Sequence, residues 1–180
     1  MAVTREQIAD SFKRRVEAQG FRKTSVEEIA KELRISKKTI YVHFESKDDI
    51  YRYVLERLAA EERTRIADLL ADRETYCEKI QGLVGVIFEF ARDWWGRNRK
   101  SEFVERYEIG ESAFLDAYTE LIREYVCAGA DSGEFSVEDC EMTVHFIGGI
   151  ILAGTRMLHE DPGVEPEPHV TQAVDRLLVC

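Results

Sequence analysis

The stretch from Thr24 to Lys47, TSVEEIAKELRISKKTIYVHFESK, allows few backbone arrangements. Thr24 or Ser25 can cap a helix, with Glu27 and Glu28 placed to close a capping box. Ile29 and Leu33 give that helix an apolar side, and Ala30 is small enough for a second helix to cross close by. Ser36 then caps another short helix, Lys37 to Phe44, in which Ile40 and Phe44 share one face. Ser46, with Asp49 three residues on, caps a longer helix that begins at Lys47. The segment therefore predicts two short helices joined by a tight turn, followed at once by a third. The second short helix is anchored by one face and carries Lys37, Lys38, Thr39, Tyr41 and His43 on the rest. A free side that is basic, hydroxylated and aromatic suits the major groove of DNA. Two lysines in the first turn oppose the helix dipole, a cost of roughly a few tenths of a kcal/mol each. Contact with bases or phosphates accounts for that cost better than solubility does.

Hydrophobic spacing predicts helices through the rest of the chain. Ile8, Phe12 and Val16 line a first helix from about Thr4 to Gln19, ended by Gly20. Ile50, Val54 and Leu58 begin the buried side of the fourth, which runs to about residue 71. A fifth, from about Glu74 to Arg97, carries Ile80, Val84, Ile87, Phe88, Ala91 and Trp95 at helical spacing. A short sixth covers Glu102 to Glu108, and a seventh, Glu111 to Gly129, aligns Phe114, Tyr118, Leu121, Ile122 and Tyr125. The eighth, to about His159, is apolar nearly all round from Val144 to Ala153 and holds Gly148, Gly149 and Gly154. All three prolines fall in the loop Asp161 to Pro168, and a ninth helix, Val170 to Val179, follows. The chain is expected to be all-α, with about nine helices. A helix apolar on every side must be covered on every side. With the amphipathic last helix it leaves surplus apolar surface, either for a second copy or for completing a monomer core.

In order, GF, TSVEEIAKEL, IS, TIYVHF and SKDDI within Gly20 to Ile50 resemble the TetR family of bacterial transcriptional regulators. Beyond about residue 60 only the layout of helices is similar. The resemblance implies a three-helix helix-turn-helix DNA-binding head, residues 1–46, and a helical effector-binding and dimerisation domain, residues 47–180, with the fourth helix linking them. It implies a homodimer on double-stranded operator DNA, most simply a repressor released by a small-molecule effector that is apolar or aromatic. Tyr41, His43 and Thr39 occupy matched positions, and Lys47 resembles the family's phosphate-binding lysine. Thr24, Ser25 and Ser36 are caps that can also face phosphate. Relatives bind effectors among the middle helices, which here offer Phe88, Trp95, Tyr107, Phe114, Tyr118, Tyr125 and His145. Aromatics at that spacing are otherwise core, and His145 alone on an apolar stretch otherwise reads as a buried, hydrogen-bonded histidine. The last two helices make the family's dimer interface, which here implies Val144, Ile147, Gly148, Ile151, Gly154, Val170, Val174, Leu177 and Leu178. There is one departure. Many relatives carry glycine in the inter-helix turn, where this chain has Arg34. A positive φ there costs about 1 kcal/mol more without glycine.

Charge tests this reading. The net charge of −10 alone argues against nucleic acid, but residues 1–47 hold 11 Lys/Arg against 7 Asp/Glu, a net +4, and the remaining residues carry −14. A basic head binds phosphates while an acidic body stays off the duplex. With 44% hydrophobic and 33% charged residues, the chain is globular rather than disordered. The N-terminus lacks the apolar core of a signal peptide, and the longest apolar run, Phe146 to Ala153, is too short to span a bilayer. A cytoplasmic protein is the expectation. Cys77, Cys127, Cys140 and Cys180 form no CxxC pair and read as reduced thiols. No nucleophile elbow, phosphate-binding glycine loop or metal-spaced His/Cys cluster marks an enzyme, and no cofactor or metal is expected. A protein-interaction module that has lost DNA binding is disfavoured by the intact basic head.

Overall fold

The computed structural model describes residues 3–98 and 107–178, apart from the side chains of 94–98 and 107–111. Its described residues form eight helices and no strand: α1 (Arg5–Gln19), α2 (Val26–Glu32), α3 (Lys37–His43), α4 (Lys47–Leu69), α5 (Tyr76–Asn98), α6 (Tyr107–Asp131), α7 (Cys140–Glu160) and α8 (Glu167–Leu178). The all-α expectation holds. The expected short helix at Glu102 to Glu108 lies mostly outside the described residues, and its last two positions open α6. None of the described helices is long and apolar enough to cross a membrane. The chain divides into two compact units. The first comprises Met1–Ala59 with Asn98–Phe114, and the second Ala60–Arg97 with Leu115–Cys180.

In the first unit, side chains start each helix and turns end it. Thr4 forms a capping box with Gln7 at α1, and Ser25 forms one with Glu28 at α2. Asp49 N–H donates to Ser46 Oγ at 3.1 Å where α4 begins. Each such cap satisfies helix N–H groups that have no partner inside the helix. The core is one cluster drawn from Ile8, Phe12 and Val16 of α1, Val26, Ile29 and Ala30 of α2, Ile40 of α3, Phe44, and Ile50, Tyr51, Val54 and Leu55 of α4, with Phe21 between α1 and α2. Phe21 meets Phe12 edge-on at 6.0 Å and Tyr51 at 5.1 Å. Ion pairs fasten the rim: Arg14 and Arg15 to Glu32, both at 2.8 Å, and Arg57 to Asp10 at 2.8 Å.

The second unit packs Ile80, Val84, Ile87 and Phe88 of α5, Tyr118, Leu121, Ile122 and Tyr125 of α6, and the inner faces of α7 and α8. Gly154 shows how closely these approach. A Cβ built there would lie 2.7 Å from both the Phe88 ring and the Val170 side chain. Arg92 pairs with Glu167 at 2.7 Å, and Gln81 donates to Asp175 at 3.0 Å, tying α8 to α5.

One expectation changes here. Cys127 and Cys140 are not reduced thiols but a disulfide, with Cα atoms 5.8 Å apart, while Cys77 is a thiol outside that bond and Cys180 lies outside the described residues. The connection after α6 folds the start of α7 back beside the last turns of α6, which brings together cysteines 13 positions apart. The structure also places residues of α7 and α8 within the protomer. Val144, Ile147, Gly148, Ile151, Gly154, Val170, Val174 and Leu178, expected at a dimer interface, are buried within the protomer, and of that set only Leu177 is exposed, at 37%. The large apolar side chains that α7 leaves exposed are Met142, Phe146 and Met157. The helix is apolar all round, so composition could not say which face turns inward.

Candidate nucleic-acid interface

The helix-turn-helix is built by α2, the turn after it, and α3. Leu33 is the C-cap of α2. Beyond it Arg34 N–H donates to Lys31 O at 3.2 Å and Ile35 N–H to Ala30 O at 2.9 Å. This crossed pair is a Schellman motif, whose first residue after the cap must be left-handed. Arg34 holds that place with φ 55°, and it is the single non-glycine residue at positive φ among those described. The turn is therefore shaped as glycine would shape it, and Arg34 carries the strain of about 1 kcal/mol.

Ser36 caps α3 by accepting from Thr39 N–H at 3.0 Å, and its Oγ shares a hydrogen bond with Thr39 Oγ1 at 2.8 Å. Ile40, fully buried, and Phe44 seat the helix on the core. The opposite side is open: Lys37, Lys38, Tyr41 and Val42 are exposed, Tyr41 at 49% and Val42 at 75%, while Thr39 and His43 are half-buried. Lys38, Tyr41 and Val42 share one face, spaced three and four residues apart. Val42 was not singled out from the sequence. Its only signal there is that spacing from Lys38. An exposed apolar side chain on this helix fits a thymine methyl group.

The other residues expected to contact DNA divide by how they are held. Lys37 pairs with Glu27 across the turn. That bond raises the Lys37 ammonium above its ordinary range and lowers the Glu27 carboxyl. Thr24 is 1% exposed and donates its hydroxyl to Gly20 O at 2.9 Å, so it stitches the loop after α1 rather than facing outward. Ser25 Oγ accepts from Glu28 N–H at 3.2 Å, and Glu28 is held below the usual carboxylate range chiefly by the Ser25 backbone N–H. Lys47 donates to Phe21 O and sits 4.0 Å from the centre of the Phe21 ring. These bonds are internal to the head and account for part of its stability.

The middle-helix aromatics are more deeply placed. Phe88, Tyr118 and Tyr125 are buried in the second unit, and burial, then the charge of Glu62, pushes the Tyr118 phenol up. Phe114 is half-buried in the first unit, and the side chains of Trp95 and Tyr107 lie outside those described. His145 is not a buried histidine. It is exposed and its Nδ1 donates to Glu141 O at 2.7 Å, because the stretch it interrupts turns that face to solvent.

Comparison with known proteins places this geometry. Residues 14–54, which span the end of α1, both short helices and the start of α4, match the sequence profile described as bacterial regulatory proteins, tetR family. Over that segment the chain resembles the TetR family. Solved structures show the TetR fold along nearly its whole length. RolR in complex with resorcinol is 14% identical, with a TM-score of 0.69, 97% of this chain and 86% of that one covered. FadR from Bacillus subtilis in complex with stearoyl-CoA is 19% identical, with a TM-score of 0.61 and 98% of each chain covered. A putative tetR family transcription regulator from Shewanella sp. PV-4 is 22% identical, with a TM-score of 0.56, covering 97% of this chain and 95% of that one. Curated protein sequences yield no match. The matched segment contains the helix-turn-helix, with arginine in its left-handed turn.

Proposed function

We propose that the protein is a transcriptional repressor, without enzymatic activity, that binds a pseudo-palindromic operator as a homodimer and is released by a small apolar or aromatic effector. One observation carries the reading: α3 is seated on the head's core by Ile40 and Phe44 and leaves Lys38, Tyr41 and Val42 exposed on a common face. Lys38 would reach a guanine edge or phosphate, Tyr41 a phosphate oxygen, and Val42 a thymine methyl. Ser36, Thr39 and His43 border that face, and Lys37 would join it by exchanging Glu27 for phosphate. Two copies would read half-sites about 34–36 Å apart, or a multiple of that.

The dimer we propose forms through the outward face of α7, Met142, Phe146 and Met157, with Leu177 of α8, all exposed in the single chain. The effector we assign to the middle helices, by analogy with the resorcinol and stearoyl-CoA held by RolR and FadR. Residues 1–46 would act as the head and 47–180 as the body, with α4 carrying the signal because it is covalently common to both. Moving the operator from mostly bound to mostly free needs about 5.5 kcal/mol of differential affinity.

The test is binding to the duplex that the wild-type protein selects from a randomised pool, read by fluorescence anisotropy across a salt series. Lys38→Ala and Tyr41→Ala should each weaken binding by about tenfold, with unchanged circular dichroism. Failure to select any duplex, or wild-type affinity in both variants, would refute the assignment of α3.

A further inference from the structure

We infer that Arg34, the residue in the left-handed turn of the helix-turn-helix, is itself a DNA-phosphate contact. The inference rests on α3 being the recognition helix and adds a contact outside that helix. Three observations carry it. First, the backbone at Arg34 has φ 55°, and the crossed hydrogen bonds of Arg34 and Ile35 define the position as one that glycine suits best. The side chain is therefore kept against a conformational cost that glycine would remove.

Second, no described residue of the head uses that side chain. Other arginines of the first unit are engaged: Arg5 lies over the rings of Phe44 and Tyr53, Arg14 and Arg15 bind Glu32, and Arg57 binds Asp10. Among the described residues Arg34 is exposed and its side chain makes no ion pair, hydrogen bond or ring contact, and the same holds for the side chain of Lys38. Internal stability thus gives no return for the strain.

Third, the place is right. In a helix-turn-helix the first helix crosses the phosphate backbone and the second enters the groove, so the turn between them lies at the groove's edge. Arg34 stands two residues before the cap of α3 and four before Lys38. A guanidinium there suits the bidentate recognition of a phosphate that arginine favours. Such a contact adds affinity and orientation and carries no base preference.

Stability and affinity should move in opposite directions, which a purely structural role would not produce. Full-length Arg34→Gly should melt at a higher temperature than wild type while binding the selected duplex about tenfold more weakly. The slope of log affinity against log salt should become shallower by about one. Arg34→Lys, which keeps the charge and the strain, should keep the wild-type slope and melting temperature. Lys38→Ala serves as the control for the recognition helix. If Lys38→Ala weakens binding while Arg34→Gly binds with wild-type affinity and slope, the Arg34 contact is refuted and the recognition helix stands. If Arg34→Lys loses as much slope as Arg34→Gly, the charge is not what matters and the inference fails. If Lys38→Ala and Arg34→Gly both bind as wild type, or no duplex is selected, the DNA reading falls and this contact with it.

Discussion

Gly154 and Arg34 show opposite uses of a single position. At Gly154 the missing Cβ is the point: Phe88 and Val170 occupy the space that a methyl group would need, each 2.7 Å from it. Gly154→Ala should destabilise the protein by about 1–3 kcal/mol through overpacking, measured as a lower denaturation midpoint with unchanged slope. Three glycines in one helix signal close approach, but the sequence does not say to what. An approach within the protomer and an approach between protomers call for the same residue type. At Arg34 the departure from glycine was visible in the sequence, and so was its cost once the family's turn was assumed. Exposure of the side chain, and its lack of a partner among the described residues, came from the fold. Thr24 and Lys47 make the complementary case. Both are residue types that phosphate favours, yet Gly20 O and Phe21 O already claim their donors.

Among the elements, the connection from α6 to α7 is the most heavily braced. Phe135 lies so close over Gly129 that a Cβ there would stand 2.2 Å from the ring. Glu134 accepts from the Tyr76 and Cys77 N–H groups at 2.9 and 2.7 Å, closing the start of α5. Asp139 caps α7, and Arg123 pairs with Glu141 at 2.9 Å. The Cys127–Cys140 disulfide closes the same segment. A loop of this length, in the chain-entropy account, makes a disulfide worth about 3 kcal/mol. Reduction, or the double replacement Cys127→Ser with Cys140→Ser, should lower the thermal midpoint correspondingly. A Cys77→Ser variant should respond to reductant as wild type does, which separates the disulfide from the Cys77 thiol. Cysteine spacing could not reveal this pair, since a separation of 13 positions fits many folds and the turn after α6 is what makes them neighbours.

For the molecule as a whole, the question is what covers the outward face of α7. Met142, Phe146 and Met157 are 51%, 56% and 52% exposed, at spacings that place them along one side of the helix. An apolar stripe of this kind suits the dimer interface proposed above. If the proposed dimer forms there, Phe146→Glu should yield a monomer, read by light scattering on a sizing column, with helical content retained because the side chain is mostly exposed. A dimer of unchanged mass would move the interface elsewhere. The division of charge works at the same scale: a net +4 in residues 1–47 and −14 in the rest give the chain a sign for DNA at one end only.

Local chemistry was enough to identify the helices of the head, their caps and the turn between them, because capping and i, i+4 spacing act within a few residues. It also marked Ile40 and Phe44 as the anchored side of α3. Tertiary packing alone decided which polar groups of the head are already spent, which face of α7 turns inward, and which cysteines meet. Those outcomes depend on what approaches from far along the chain. A helix apolar on both sides, or a lysine near a distant carbonyl, has no local pattern that records its partner.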